Sequence, residues 1–323
     1  MQPDTYVFVD NEMITLAEAN ARFGTEAFPQ PIVGNCFRMS DYVRIPFIPP
    51  VGLIGNGILP IHSKMLLFGE PKTGKSFLAT MLAHCIAERQ PWLGFAPHPS
   101  ADFQPTVYYI QTEISETEFK ERLLSLIPSD HLFVETIHGS LLLGDNVNQL
   151  AERLEVIRPN LVILDPLYML MDGDLNNSTH MGVVHRNIDM LISAFGCSVL
   201  IVHHSRKPKE NTKASILEAL GSVTITAFYD SILFLERQEG YNQLHFTLRH
   251  SRAPDPIPLY QEDTGYFSPI DPRPILTHEW LDLADIHTAM HLNLPLDILH
   301  SILNNLSSQG LIQRNTARRY RLP

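Results

Sequence analysis

The stretch Gly69-Glu70-Pro71-Lys72-Thr73-Gly74-Lys75-Ser76 fits the spacing G-x-x-x-x-G-K-[ST] without a mismatch. Each residue type has a use there. Gly69 and Gly74 let backbone amides turn inward around an anion, and Lys75 reaches the β- and γ-phosphates of a nucleotide. Ser76 supplies a hydroxyl for Mg²⁺, and a helix beginning at that point adds its positive end. The spacing needs a strand before it and a helix after it. The runs "KMLLF" (Lys64–Phe68) and "SFLATMLAHCIAE" supply both, so the stretch from Gly69 through Glu70, Pro71, Lys72 and Thr73 to Phe77 is expected to hold nucleotide, with ATP and Mg²⁺ as cofactors. A glycine-rich turn that only imitates the pattern is the plain alternative.

Three further strand ends carry groups that suit phosphate chemistry. Asp165 closes the apolar run "LVILD", where a carboxylate can hold the water shell of Mg²⁺; an ordinary strand-end aspartate is the other reading. Glu113 follows "YYIQT" and can orient and deprotonate an attacking water, or it can cap the helix of "SETEFKERLLSL". Two histidines end "LIVHHSRK". His204 is the favoured γ-phosphate sensor and His203 its alternate, against a reading of both as core histidines. Ligands in α/β sheets gather at the carboxyl ends of strands, which places all these groups in one region.

The elements needed to hold them are legible as an alternation. "KMLLF", "TVYYI", "LFVETI", "LVIL", "SVLIV", "SILFL" and "LHFTL" read as strands, with amphipathic helices between several of them, such as 75–89 with Phe77, Leu78, Met81, Leu82, Cys85 and Ile86 turned inward. Buried strands alternating with helices predict an α/β fold with a mostly parallel central sheet. Residues 1–60 are turn-rich and form an N-terminal section, a possible subunit-contact arm. The core spans 61–268, "SPIDPRPILTHEW" makes 269–276 a Pro-rich linker, and 277–323 form a small helical unit ending in a two-stranded hairpin.

Composition excludes several classes. Of 323 residues, 44% are hydrophobic and 18% charged, which argues against disorder. Three unpaired-looking cysteines rule against a disulfide scaffold, and the 15 histidines show no zinc-ligand spacing. No apolar run approaches the roughly 18 residues of a membrane helix and the N-terminus is acidic, so a cytoplasmic protein without a membrane partner is expected. The net charge of −11 excludes a generally basic surface but not a local basic patch.

The succession "GEPKTGKS", "YIQTE", "LVILDPLYMLMDGDLNNS", "LIVHHSRK" and "ALGSVTITAFYDSILFLER" resembles the RecA-like P-loop ATPases of the plasmid RepA hexameric-helicase type, over roughly 60–258. The resemblance implies a hydrolytic site of Lys75, Ser76, Glu113 and Asp165 with His204 as sensor, and an adenine-stacking arginine at Arg122, which otherwise pairs with Glu118. It also implies a homo-oligomer, a hexameric ring with sites between subunits, in which a basic finger of the neighbour acts in trans. Arg249 and Arg252 in "TLRHSRAP" are the candidates. Two positions depart from the family: the residues after Asp230 are hydrophobic where relatives carry an arginine, and "ALGS" lacks an arginine before Gly-Ser.

Nucleic acid would meet such a ring at two loops. "MDGDLNNSTHMG" is a poor phosphate binder, whereas "SRKPKENTKAS" carries Arg206, Lys207, Lys209 and Lys213 directly after the histidines. The C-terminal unit resembles a winged helix-turn-helix with a basic wing containing Arg318 and Arg319, but its recognition helix has no Lys or Arg. The expected function is an ATP-hydrolysing motor on single-stranded DNA, a replicative-type helicase of a plasmid, phage or mobile element with replication proteins as partners. A nucleotide-switched DNA-binding regulator and a filament-forming repair ATPase are the alternatives.

Overall fold

A computed structural model describes residues 6–9, 12–15, 38–45, 51–55, 57–137, 147–169, 178–204, 228–290 and 294–323. The chain divides into two compact units, 1–49 and 50–323. In the first, β1 (Tyr6–Val9) pairs antiparallel with β2 (Glu12–Thr15), and a single helical turn α1 spans Met39–Tyr42.

The second unit opens with a short hairpin, β3 (Gly52–Ile54) and β4 (Leu59–Pro60), whose Leu53, Ile54, Ile58 and Leu59 are fully buried in the main core. The N-terminal section expected to reach residue 60 therefore ends in packing terms before Pro50, because this apolar hairpin is part of the core floor. Then follow β5 (Lys64–Gly69), α2 (Lys75–Ala87), β6 (Val107–Gln111), α3 (Glu116–Leu123), β7 (Leu132–Thr136), α4 (Val147–Ile157) and β8 (Leu161–Asp165). After these come α5 (Ser178–Phe195), β9 (Ser198–His204), β10 (Ser231–Arg237), β11 (Asn242–Leu248), β12 (Ile257–Gln261) and β13 (Phe267–Pro269).

Nine of these strands form one sheet in the order β13-β12-β11-β10-β5-β9-β8-β6-β7. The six from β10 to β7 run parallel, and β11, β12 and β13 extend the sheet antiparallel. Strands β5, β6 and β8 are buried almost throughout, as a parallel sheet covered on both faces requires. Their alternation sorts residues into two cores. Met65, Leu67, Val107, Tyr109, Leu161, Ile163, Leu200 and Val202 face α2, while Leu66, Phe68, Tyr108, Ile110, Val162, Leu164, Val199 and Ile201 face α4 and α5. The buried stripe of α2 differs from the expected one. Leu78, Ala79, Leu82, Ala83, Ile86 and Ala87 are fully covered, and Phe77, Met81 and Cys85 only partly. Alanines on the sheet-facing side bring the helix close, and that displaces the bulkier Phe77 toward the end of the strands.

The C-terminal segment carries α6 (Leu283–Met290), α7 (Leu296–Ser308) and a hairpin of β14 (Gln313–Arg314) with β15 (Tyr320–Arg321). Leu281 bridges to Tyr320 through two backbone bonds of 3.0 Å and adds a third short strand to the hairpin. A third core joins it to the sheet, through Tyr241, Ile270, Ile286, Leu299, Ile302 and Tyr320. The Pro-rich stretch 269–276 is no loose spacer: Ile270 and Leu276 are buried, and Arg273 pairs with Asp271 at 2.8 Å and Asp255 at 3.0 Å. Apolar residues between its prolines anchor it. Among the described residues no helix is long and apolar enough to cross a membrane.

Candidate nucleotide site at the strand ends

Strand β5 ends at Gly69, and the chain loops back into α2, whose N-cap is Gly74 with φ 89° and ψ 16°. A side chain at Gly74 would meet the Phe267 ring at 2.6 Å and Gln261 Nε2 at 2.9 Å, and one at Gly69 would run into the Leu235 carbonyl. Only glycine fits at either place. No side chain caps α2, and its first turn has no acidic residue. Its leading N–H groups are therefore available to an anion, together with the positive end of the helix dipole.

The period of two along the strands then decides which side chains meet this loop. On β6, β8 and β9 the residues facing α2 run out to Gln111, Asp165 and His204 at the carboxyl ends, so all three share its face. Together with Lys72, Gly74, Lys75, Ser76, Phe77, Glu113 and Arg122 they line a cavity of about 430 Å³. The same alternation sends His203 to the opposite face, where it is buried and held down to about pKa 4 by burial and by the charges of His204 and Lys75. Of the two histidines, His204 is the one at the cavity.

Lys75 is 3% exposed and its Nζ donates to the Glu70 carbonyl at 2.6 Å. Burial lowers its pKa to about 8, against the pull of Asp165, Glu113 and Glu70. Asp165 is buried and accepts from the Tyr109 hydroxyl at 2.6 Å, with the Ser76 hydroxyl also within bonding reach. Burial raises its pKa, which bonds from Tyr109 and Ser76 only partly offset. A buried carboxylate beside a serine hydroxyl, short of compensating positive charge, is a donor set that fits a hydrated divalent cation.

Glu113 projects into the cavity mouth. It does not cap α3: Ser115 does, in a reciprocal capping box with Glu118. That assignment leaves the Glu113 carboxylate free to meet His204 Nε2 at 3.5 Å and to interact with the Tyr168 hydroxyl. Burial and the Lys75 charge hold the His204 pKa below its ordinary value, while Glu113 acts in the opposite sense. The turn that aims Glu113 is held by Gln111, whose Oε1 accepts the amides of Glu113 at 3.2 Å and Ile114 at 3.0 Å and whose Nε2 donates to the Ile114 carbonyl at 2.7 Å.

At the far end of the cavity Arg122 lies over the Phe77 ring at 4.4 Å rather than pairing with Glu118, which the capping box engages. Tyr266 donates to the Arg122 carbonyl at 2.9 Å and meets the Phe77 ring edge-on. Gln261 completes this wall, so the β12–β13 hairpin closes over the loop. Sequence reasoning missed that hairpin and Gln261, because "IPLYQEDTGYFSP" is proline-flanked and follows the stretch where the strand alternation is clear. It missed Arg237 too, at the end of β10, which donates to the Lys72 carbonyl.

Arg249 and Arg252 lie elsewhere. Leu235 of β10 pairs with Gly69, but Ser231 pairs with both Met65 and Leu248, so the end of β11 is at the opposite edge of the sheet from the loop. Arg249 is bound there to Asp230 at 3.1 Å, while Arg252 is exposed and has no ion pair among the described residues. In the C-terminal hairpin Arg319 is engaged by Asp282 at 2.9 Å, and Arg318 is exposed at the turn with φ 57°. Arg206, Lys207, Lys209 and Lys213 fall outside the described residues, as does most of "MDGDLNNSTHMG".

A mostly parallel sheet with a glycine-rich loop between its central strand and α2, ringed by carboxylates at the strand ends, defines a RecA-like P-loop ATPase fold. The chain belongs to the AAA-domain family, whose sequence profile matches residues 39–210, more than half of its length. Among solved structures, one described as an ATPase domain aligns with a TM-score of 0.51 at 13% identity, over 65% of this chain and 85% of that one. A DnaB-like replicative helicase, solved with attention to its interactions with primase, aligns with a TM-score of 0.51 at 14% identity over 65% of this chain. This chain spans 58% of that helicase chain. At such identities the likeness is one of fold. No curated protein matches the sequence.

Proposed function

We propose that the protein is an ATP-hydrolysing ring motor of the RepA-type hexameric-helicase kind, working on single-stranded DNA in the replication of a plasmid, phage or mobile element. The observation that carries it is the meeting of Lys75, Ser76, Glu113, Asp165 and His204 on one face of the sheet around a single cavity. In this reading Lys75 and the bare N-terminus of α2 bind the phosphates, and Glu113 orients and deprotonates the attacking water. Ser76 and Asp165 would hold Mg²⁺, which when bound neutralises phosphate oxygens. His204, in contact with Glu113, senses the γ-phosphate, and Arg122 with Phe77 flanks the base. The loop carrying Arg206, Lys207, Lys209 and Lys213 follows His204 directly and is assigned to the DNA strand.

The far-edge position of Arg249 and Arg252 supports assembly, since neither can serve its own subunit's loop. Arg252, the exposed one of the two, is the better choice for the finger that enters a neighbour's site. The ATPase core, expected over 61–268, takes in the hairpin at 52–60 as well, and 277–323 form a winged-helix-like appendage. The test is steady-state ATP hydrolysis with and without single-stranded DNA. Stimulation by DNA that Glu113→Gln abolishes, with a loss of about 10²–10⁴-fold, is expected. Hydrolysis indifferent to DNA would overturn the motor and favour a nucleotide-switched regulator.

A further inference from the structure

Gln111 lines the nucleotide cavity and is 3% exposed, yet its side chain has no hydrogen bond left to offer a ligand. A glutamine amide carries two N–H donors and an oxygen that accepts twice. Here all four are used. Oε1 accepts the amides of Glu113 at 3.2 Å and Ile114 at 3.0 Å, and Nε2 donates to the Ile114 carbonyl at 2.7 Å and to Thr136 Oγ1 at 3.0 Å. The reverse orientation would set an NH₂ group against two N–H groups, so the partners fix which end is which. A saturated side chain in the wall of a site acts on the chain around it rather than on what binds there.

What it acts on is the turn that carries Glu113. The sheet ladder ends at Gln111, whose main chain is in register with Asp165 on β8 and Thr136 on β7 and whose carbonyl accepts the Ile137 amide at 3.0 Å. Thr112 is still held by β8, its amide donating to the Asp165 carbonyl at 3.0 Å. The next two amides have left the ladder, and the Gln111 side chain receives both. From that turn the Glu113 carboxylate reaches His204 Nε2 at 3.5 Å. The anchor, Thr136, belongs to the edge strand β7, which puts no side chain of its own into the cavity wall among the described residues.

We propose that Gln111 is the positioning residue for Glu113. Pinned to Thr136 of the edge strand, its side chain sets the main chain of the turn so that the Glu113 carboxylate stands where an attacking water must be oriented. This rests on the reading of Glu113 as the residue that activates water, but it requires neither DNA nor a ring.

Q111M keeps the length of the side chain and removes all four of its bonds, while the main-chain ladder of β6 stays intact. In steady-state ATP hydrolysis by the full chain, kcat is expected to fall about 10- to 100-fold, the cost of displacing a reacting group by about 1 Å. KM should stay within about twofold, since no contact to the nucleotide is lost. T136V, which removes only the acceptor of the anchor, should cost about threefold. Placed on E113Q and measured with protein in excess over ATP, Q111M should slow the residual reaction by no more than about twofold, because no carboxylate remains to be misplaced. In the nucleotide-free protein, hydrogen exchange at the amides of Glu113 and Ile114 should quicken about tenfold or more in Q111M, while β6 keeps the parent rate. A parent-like kcat in Q111M, an equal slowing of the parent and of E113Q, a KM that rises in step with the fall in kcat, or unchanged exchange at 113 and 114 would each overturn the positioning role. The reading beneath it fails separately. A parent chain without hydrolysis, or E113Q at the parent's rate, would remove Glu113 from the chemistry and this role with it, whatever Q111M does. Hydrolysis that E113Q abolishes and DNA leaves unchanged would sink the motor and leave Gln111 in its role.

Discussion

The ammonium of Lys75 waits against a carbonyl of its own loop, and burial has already brought its pKa down to about 8. A bound triphosphate favours the charged form and raises that pKa again, so binding becomes linked to proton uptake once the free protein begins to lose the proton. Well below pH 8, at about pH 6 and lower, the charge is in place and affinity is insensitive to pH from this source. Between pH 7 and pH 9, ATP affinity should fall about tenfold, and calorimetry in buffers of different ionisation enthalpy should show proton uptake at the upper end. A pH-independent affinity over that range, or one equally steep in Lys75→Met, would refute the assignment. Residues of this kind were the most legible in the sequence: the loop, Asp165 and Glu113 are placed by spacing and by strand ends alone. The sequence favoured His204 with His203 as its alternate; which of the two lies at the cavity is read from the faces of β9, since alternation names the faces only after one residue has been oriented. Partners that act by contact rather than pattern, such as Tyr168 and Arg237, leave no signal in one sequence.

At the scale of elements, the phosphate loop is clamped between two neighbours. The end of β10 lies behind Gly69, and the β12–β13 hairpin lies over Gly74. Gly74→Ala would therefore suffer twice, from a left-handed backbone that costs a β-carbon about 1–2 kcal/mol and from collision with the Phe267 ring. Chemical denaturation should show a loss of about 2 kcal/mol or more. Adding Phe267→Ala should relieve the steric part, so that the two changes are not additive. Strict additivity would show that the hairpin does not bear on the loop. The parallel strands were evident from their apolar runs, since burial on both faces writes itself as continuous hydrophobicity. The hairpin was not: β12 holds Pro258 and β13 is three residues long, and their place is fixed by Phe267, Tyr266 and Gln261 reaching across to α2, α3 and the loop. The 269–276 stretch misled for the same reason, because proline composition reads as a spacer while Ile270 and Leu276 tie it down.

For the molecule as a whole, the opposite placement of the Lys75 loop and Arg252 makes a prediction about copies rather than residues. If the proposed ring exists, Lys75→Ala and Arg252→Ala should each be inactive alone, the second by about 10³-fold or more. Mixing the two should restore a measurable fraction of hydrolysis, because some junctions then join an intact loop to an intact arginine. Absence of any recovery in mixtures shown to exchange subunits would place Arg252 outside the site. The C-terminal segment adds a mechanical aspect to this arrangement. It grips Tyr241 and Gln243 at one end of the β10–β11 ribbon, and the same strand runs about 20 Å to the end that carries Arg249 and Arg252. A sheet strand in a full hydrogen-bond ladder stretches very little. A load hung on the tail would therefore be delivered along β11 to Arg249 and Arg252, and in the proposed ring that would couple tension on the hairpin to chemistry in the adjacent copy through one stiff rod.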